Sequence, residues 1–141
     1  MIVKIKKLDS NAKLPTKGTS GAACYDLYAL EDMMVRSCNV ARVRTGLAFE
    51  VPFGYEMEIR PRSGLSSKES ILIINSPGTL DSDYRGELVI LMRRLEDFYV
   101  IRAGDRVAQF KINRVLPVEL VEVDKLSETV RGENGYGSTG K

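Results

Sequence analysis

The sequence predicts an all-β fold of short antiparallel strands, in the form of a sandwich, barrel or jelly roll. Three observations carry this expectation. Apolar and polar residues alternate with period two in several segments, as a half-buried strand requires. Gly, Pro, Asn and Asp interrupt those segments at short spacing, in Pro52-Phe53-Gly54, Ser76-Pro77-Gly78 and Ala103-Gly104-Asp105. Nowhere does a 3.6-residue period persist for three turns, so amphipathic helices are not the main material.

The elements follow in chain order. In residues 2–6, Val3 and Ile5 oppose Lys4 and Lys6. In residues 45–51, Leu47, Phe49 and Val51 alternate with Ala48 and Glu50, and in residues 54–60, Tyr55, Met57 and Ile59 alternate with Glu56, Glu58 and Arg60. Residues 63–69 form the one stretch suited to a short helical turn. Residues 71–74 and 88–92 are continuous apolar runs, which predicts strands covered on both faces. Residues 104–109 open another strand, and 118–123 repeat the alternation weakly. Beyond Val123 the pattern stops. Residues 1–123 are therefore expected to form the β domain and 124–141 a C-terminal arm, with no internal repeat.

That arm, fully extended, spans roughly 60 Å. Four of the 12 glycines lie at or beyond Arg131, in Arg-Gly-Glu-Asn-Gly-Tyr-Gly-Ser-Thr-Gly-Lys. Glycine-rich ends commonly fray. An arginine, an aromatic and two adjacent hydroxyls set among glycines also suit anion binding, because glycine lets backbone N–H groups approach closely.

Composition narrows the chemistry. A chain of 141 residues is one domain's worth of sequence. The formal charge is +2, which offers no basic field for nucleic acid and no polycationic face for a membrane. There is no histidine, which excludes Ser-His-Asp and Cys-His nucleophiles, His-ligated zinc and imidazole acid–base catalysis. There is no tryptophan, so stacking falls to Tyr and Phe. Cys24 and Cys38 supply half of a four-thiolate zinc site. The N-terminus lacks the apolar core of a secretory signal, and no run approaches the roughly 20 apolar residues of a membrane span. A cytoplasmic protein is expected, with nuclear, organellar and viral origins left open.

Four internal segments carry residues suited to chemistry. Residues 60–68, from Arg60 through Pro61, Arg62, Ser63 and Gly64 to Lys68, combine guanidinium donors, hydroxyls and a helix start. They make either an anion cradle or a solvated turn capped by Ser63. Residues 75–87 are turn-rich, with Asp81 and Asp83 two apart; a carboxylate there serves as a general base, organises metal-bound waters, or merely caps turns. Gln109, inside the apolar run after Gly104-Asp105-Arg106, is an amide in need of partners. Asp26, between Tyr25 and Tyr28, reads as a strand acid paired with an arginine.

Together these segments resemble, in order, the five motifs of the homotrimeric dUTP pyrophosphatases, or dUTPases. The matching residues are Ala23-Cys24-Tyr25-Asp26-Leu27-Tyr28, Arg62-Ser63-Gly64-Leu65, Gly78-Thr79-Leu80-Asp81-Ser82-Asp83-Tyr84-Arg85-Gly86, Gly104-Asp105-Arg106-Val107-Ala108-Gln109 and the run from Arg131-Gly132 to Gly140. Each motif is weak alone; five in order across the chain are specific. The resemblance implies a distorted jelly roll of the β-clip type, assembled as a homotrimer with shared active sites and a flexible arm that closes a neighbour's site. It also implies Mg²⁺-dependent hydrolysis of dUTP to dUMP and pyrophosphate, which limits uracil in DNA and supplies dUMP for dTMP synthesis.

By the same resemblance, Asp81 activates the water that attacks the α-phosphorus. Arg62, Ser63, Gly64 and Gln109, with Arg131, Gly137, Ser138 and Thr139 of the arm, bind phosphates. Asn75, Gly78, Thr79 and Leu80 read uracil, Tyr84 packs on deoxyribose and Tyr136 stacks on the base. Mg²⁺ has no direct protein ligand, and Asp26 reaches it through water. Neither nucleic acid nor membrane is an expected partner. Cys24 and Asn134 stand where the motifs usually have glycine, and Tyr136 where phenylalanine is usual. Two rival functions are a dCTP deaminase on the same fold and a regulatory binder gated by dUTP.

Overall fold

The computed structural model describes residues 1–135. The chain forms ten strands and one short helix: β1 (Lys4–Lys7), β2 (Tyr25–Tyr28), β3 (Met33–Arg36), β4 (Ala41–Glu50), β5 (Tyr55–Arg60), α1 (Ser63–Glu69), β6 (Ile71–Ile73), β7 (Gly78–Leu80), β8 (Glu87–Arg94), β9 (Phe98–Ile101) and β10 (Arg106–Arg114). One four-stranded sheet has the order β1-β4-β8-β6, a second the order β2-β10-β5-β7, and β3 pairs β9 in a two-stranded ribbon. Every pairing is antiparallel. The result is the expected all-β, jelly-roll-type architecture.

Period-two alternation builds the interior. Val43, Leu47 and Phe49 from β4, and Ile90 and Met92 from β8, meet Met57 and Ile59 of β5, Leu27 of β2 and Val107 and Phe110 of β10 in one core. Phe49 and Phe110 meet edge to face across the sheets at 5.7 Å between centroids. Among the described residues, Thr45 is the one buried polar side chain. Its hydroxyl donates to the Leu88 carbonyl at 2.6 Å and accepts from the Leu47 N–H at 3.3 Å, so burial leaves it satisfied.

Four details depart from the sequence reading. Residues 118–123 join no sheet, and none of the described residues beyond Arg114 is in a strand. Alternation supplies an apolar face, but a strand also needs a neighbour, and both sides of β10 are already taken by β2 and β5. The apolar run 71–74 is covered on one face only, Leu72 and Ile74 being exposed while Ile71 and Ile73 are buried, and in 88–92 Val89 and Leu91 are half-buried where Leu88, Ile90 and Met92 are buried. Gly78–Leu80, inside the segment read as turns, is a strand paired with β5. Finally, Arg62 rather than Ser63 occupies the N-cap of α1, with no side-chain cap.

Asp105 caps its hairpin, accepting from the Arg102 N–H at 2.8 Å. A second acid reinforces that turn. Asp32, between β2 and β3, accepts from the Ala103 N–H at 2.8 Å and from the Arg102 guanidinium at 2.6 Å. The Ala103 N–H first, then Arg102, hold the Asp32 carboxyl below its ordinary value of 3.8. A carboxylate depressed on folding adds stability above its unfolded pKa and loses it as pH falls through the folded one. Asp32→Asn is therefore expected to lower the melting temperature slightly at neutral pH, the gap closing below about pH 4. Paired thermal melts across that range check it.

Candidate active site

The connection from β7 of one sheet into β8 of the other presents one group of the expected residues. β7 is the edge strand of its sheet, paired on one side only. An edge strand leaves backbone N–H and C=O groups unpaired along its free side. Asn75, Thr79, Leu80, Asp81 and Tyr84 line one cavity of about 260 Å³ beside that edge, with Arg42 and Glu87. Gly78 and Asn75 line a smaller neighbour of about 50 Å³. A Cβ on Gly78 would lie 3.3 Å from the Asn75 amide nitrogen, so the absence of a side chain lets Asn75 pack against the strand.

Asp81 follows directly on β7. A turn closes after it, with the Tyr84 N–H donating to the Asp81 carbonyl at 3.2 Å. Arg85 fastens that turn, one guanidinium nitrogen donating to the carbonyls of Ser82 at 2.7 Å and Tyr84 at 2.9 Å. The Asp81 carboxylate is exposed and makes no side-chain hydrogen bond or ion pair with any described residue. It also borders a second cavity of about 370 Å³ with Phe53, Tyr55 and Val115. Asp83, two residues on, lies within the turn, which breaks the shared face an extended chain would have given the two acids.

The second group gathers where β5 runs into α1. Across β10, Gln109 stands level with Asp26 on β2 and with Arg60 on β5. Asp26 is held from two directions: Arg62 donates to one oxygen at 2.9 Å and Arg106 approaches the other at 3.4 Å. The expectation of an arginine partner for Asp26 is met twice. Gln109 donates to the Pro61 carbonyl at 2.9 Å, which supplies the partner its amide needed and braces the approach to Arg62. Arg60 is occupied by Glu58, whose carboxyl that guanidinium, joined by the Asn113 amide, holds below the usual range. Arg62 lines a cavity of about 230 Å³ with Leu65, Asp105 and Arg106, and Ser63 and Gly64 are exposed on the first turn of α1.

The cavities that line the two groups share no residue. The β5–β7 register explains why. Met57 stands opposite Leu80, so Asp81 lies near the level of Glu56. Arg60, at the far end of β5, is four residues further along, about 13 Å. Arg62 lies beyond that end.

In the arm, Arg131 donates to the Asn134 carbonyl at 2.9 Å and contacts neither group. Gly132 takes a left-handed φ of 52° in the same turn, a conformation that favours glycine. Tyr136, Gly137, Ser138 and Thr139 lie outside the described residues. Cys24 and Cys38 are free thiols. Among the described residues no three His, Cys, Asp or Glu side chains cluster to hold a metal, and no helix is long and apolar enough to cross a membrane. Arg42, Arg85 and Glu87 border the site at the β7–β8 connection without having been singled out in the sequence. Arg42 alternates outward on β4, and its nearness to residues 75–89 depends on the β4–β8 pairing, which no local pattern reveals.

A small cleft, an unengaged carboxylate and a separate arginine patch on a jelly-roll-type body are parts that a class of enzymes hydrolysing anionic substrates uses. Comparison with known proteins narrows the class. The family model described as dUTPase matches residues 10–140, and the chain belongs to the dUTPase family. Among curated relatives, the deoxyuridine 5'-triphosphate nucleotidohydrolase of Nautilia profundicola is 47% identical over 142 residues, covering 100% of both chains. That of a Hydrogenobaculum species is 48% identical, covering 99% of each. Among solved structures, a mutant dUTPase of Staphylococcus bacteriophage 80alpha with dUpNHpp matches with a TM-score of 0.91, at 27% identity over 99% of each chain.

Proposed function

We propose that this chain hydrolyses dUTP to dUMP and pyrophosphate in a Mg²⁺-dependent reaction, with Asp81 as the base, in a trimer that completes each site from more than one chain. The observation that carries this reading is the open edge of β7, running straight into an unengaged carboxylate. A base edge satisfies the backbone groups that a further strand would otherwise take. Uracil offers a donor at N3 and an acceptor at O4, and cytosine reverses both. A slot matched to uracil therefore leaves buried groups unpaired with cytosine. Asn75 and the backbone of Gly78, Thr79 and Leu80 supply that slot, and Tyr84 walls off the sugar.

The two acids divide the remaining work. Asp26 is tied to Arg62 and Arg106, so it serves as an anchor. Asp81 is free to take a proton. The water oxygen bonds to the α-phosphorus, its proton passes to Asp81, and the bond to the bridging oxygen breaks as pyrophosphate leaves. Arg62, the Ser63 hydroxyl, the exposed N–H groups at the start of α1 and the free side of the Gln109 amide receive phosphate oxygens. Arg131 and the arm's Gly137, Ser138 and Thr139 close over the terminal phosphate, and Tyr136 stacks on the base.

The donor set suits a Mg²⁺ that arrives with the triphosphate: the ion keeps its waters and phosphate oxygens, and both Asp26 oxygens retain lone pairs to accept from such waters. When bound, the ion neutralises developing phosphate charge. Distance supports the reading of shared sites. Asp81 and Arg62 of one chain lie at opposite ends of β5, too far apart to serve one α-phosphorus, so a neighbouring chain brings the missing half.

The test is a substrate panel with pyrophosphate detection. With Mg²⁺, dUTP is expected to turn over at least about 100-fold faster than dCTP or UTP, the selectivity of a matched polar site. Ammonia release from dCTP would indicate the deaminase instead, and equal use of UTP would remove the proposed sugar wall.

A further inference from the structure

The wall at Tyr84 is held by more than its own packing. Its hydroxyl donates to the backbone carbonyl of Glu87 at 3.2 Å. Its ring lies so close to Gly86 that a Cβ there would sit 2.3 Å from the phenolic oxygen and 2.6 Å from the ring carbon bearing it. Glu87 is the first residue of β8, and its half-buried carboxylate reaches across to β4. There it accepts from the Gly46 N–H at 2.8 Å and from Arg44 Nε at 3.1 and 3.2 Å.

The receiving end is itself rigid. The β4–β8 register shifts between Arg44 and Ala48, the mark of a bulge. Gly46 sits in it at a φ of 68°, and its carbonyl takes the Leu8 N–H at 2.8 Å. A Cβ at Gly46 would fall 2.9 Å from the Ala12 side chain, so this backbone is also packed from outside.

We propose that Glu87 is a positioning residue for sugar selection. Its carboxylate anchors the start of β8 to the β4 bulge, and its carbonyl, thereby fixed, holds Tyr84 where the ring denies room to a ribose 2′-hydroxyl. The inference rests on the reading of Tyr84 as the sugar wall. Steric exclusion works only while the wall cannot retreat, and a displacement of about 1 Å decides whether a hydroxyl fits. Removing the Glu87 carboxylate leaves the Gly46 N–H without its acceptor and Arg44 without its nearest partner, and it frees the peptide that Tyr84 grips.

The experiment measures kcat/KM for dUTP and UTP, with melting temperatures, for the wild type, Glu87→Ala, Glu87→Gln and Gly86→Ala. The UTP-to-dUTP ratio is expected to rise about tenfold in Glu87→Ala, the scale on which a pocket distinguishes one small group. Glu87→Gln keeps an acceptor for Gly46 and is expected to fall between the two. Gly86→Ala pushes the ring directly and is expected to raise the ratio at least as far. A merely structural Glu87 would lower both activities and the melting temperature together, with the ratio unchanged, and that result overturns the inference. Should Glu87→Ala fail to fold, Glu87→Gln decides by the same ratio. A wild type that uses UTP as readily as dUTP overturns the reading of Tyr84 itself, a different failure.

Discussion

Asp81→Asn is expected to bind the substrate and not turn it over. The substitution keeps the shape of the side chain and removes its charge. The local structure has no stake in that charge, since the turn after Asp81 is closed by the Tyr84 N–H and fastened by Arg85, both acting on backbone carbonyls. Melting temperature and oligomeric state should therefore match the wild type. The rate should fall by about 10²- to 10⁴-fold, the range general-base catalysis supplies. Binding of the non-hydrolysable dUpNHpp should hold or tighten slightly, because one negative charge near the phosphates has gone. Calorimetric titration and single-turnover pyrophosphate release separate the two effects. Retained turnover would take the base away from Asp81 and leave Asp83 as the next acid in the loop.

Deleting residues 131–141 is expected to abolish activity just as completely by another route. The described part of the arm joins no sheet, and among the described residues Arg131 bonds only to Asn134. Its loss should cost the body nothing, and light scattering should give the same mass per particle. Under the proposed mechanism the reaction loses a guanidinium assigned to the terminal phosphate, a contribution of about 10³- to 10⁵-fold in phosphoryl transfer. It also loses the arm proposed to exclude water from the site. If the truncated chain dissociates, the arm is structural and the collapse of activity is secondary. If it stays assembled and active, the proposed role of Arg131 falls.

The sequence was most legible where one local pattern decided the outcome. Period-two alternation located β4 and β5, and turn residues marked their ends. Asp26 between aromatics announced its arginine partners, and Gln109 in an apolar run announced a need that Pro61 meets. Legibility ended where pairing across the chain decides. β3 and β9, with Met-Met-Val-Arg and Phe-Tyr-Val-Ile, offer no apolar–polar alternation to register, and they exist because each supplies the other's hydrogen bonds. The outer faces of β6 and β8 read as interior because Leu72, Ile74, Val89 and Leu91 look the same to a local pattern whether this chain covers them, half covers them or leaves them open. Residues 118–123 have a strand's alternation and no strand to lie beside. At the site, Asp81 and Arg62 were each visible in the sequence. Their separation along β5 was not, because it depends on a register set between residues 57 and 80. The support given to Tyr84 from Gly46, some forty residues away, was invisible for the same reason.

The brevity of β7 has one more consequence. An exposed sheet edge is ordinarily a hazard, a template on which another polypeptide can polymerise. Three residues, ended by the Asp81 turn on one side and by Pro77 on the other, are too few to seed a stable intermolecular ladder. They are enough to face a single planar heterocycle. On the proposed reading of β7 as the uracil slot, the same shortness that admits a nucleobase protects the protein from edge-to-edge polymerisation in the periods when no nucleotide is bound.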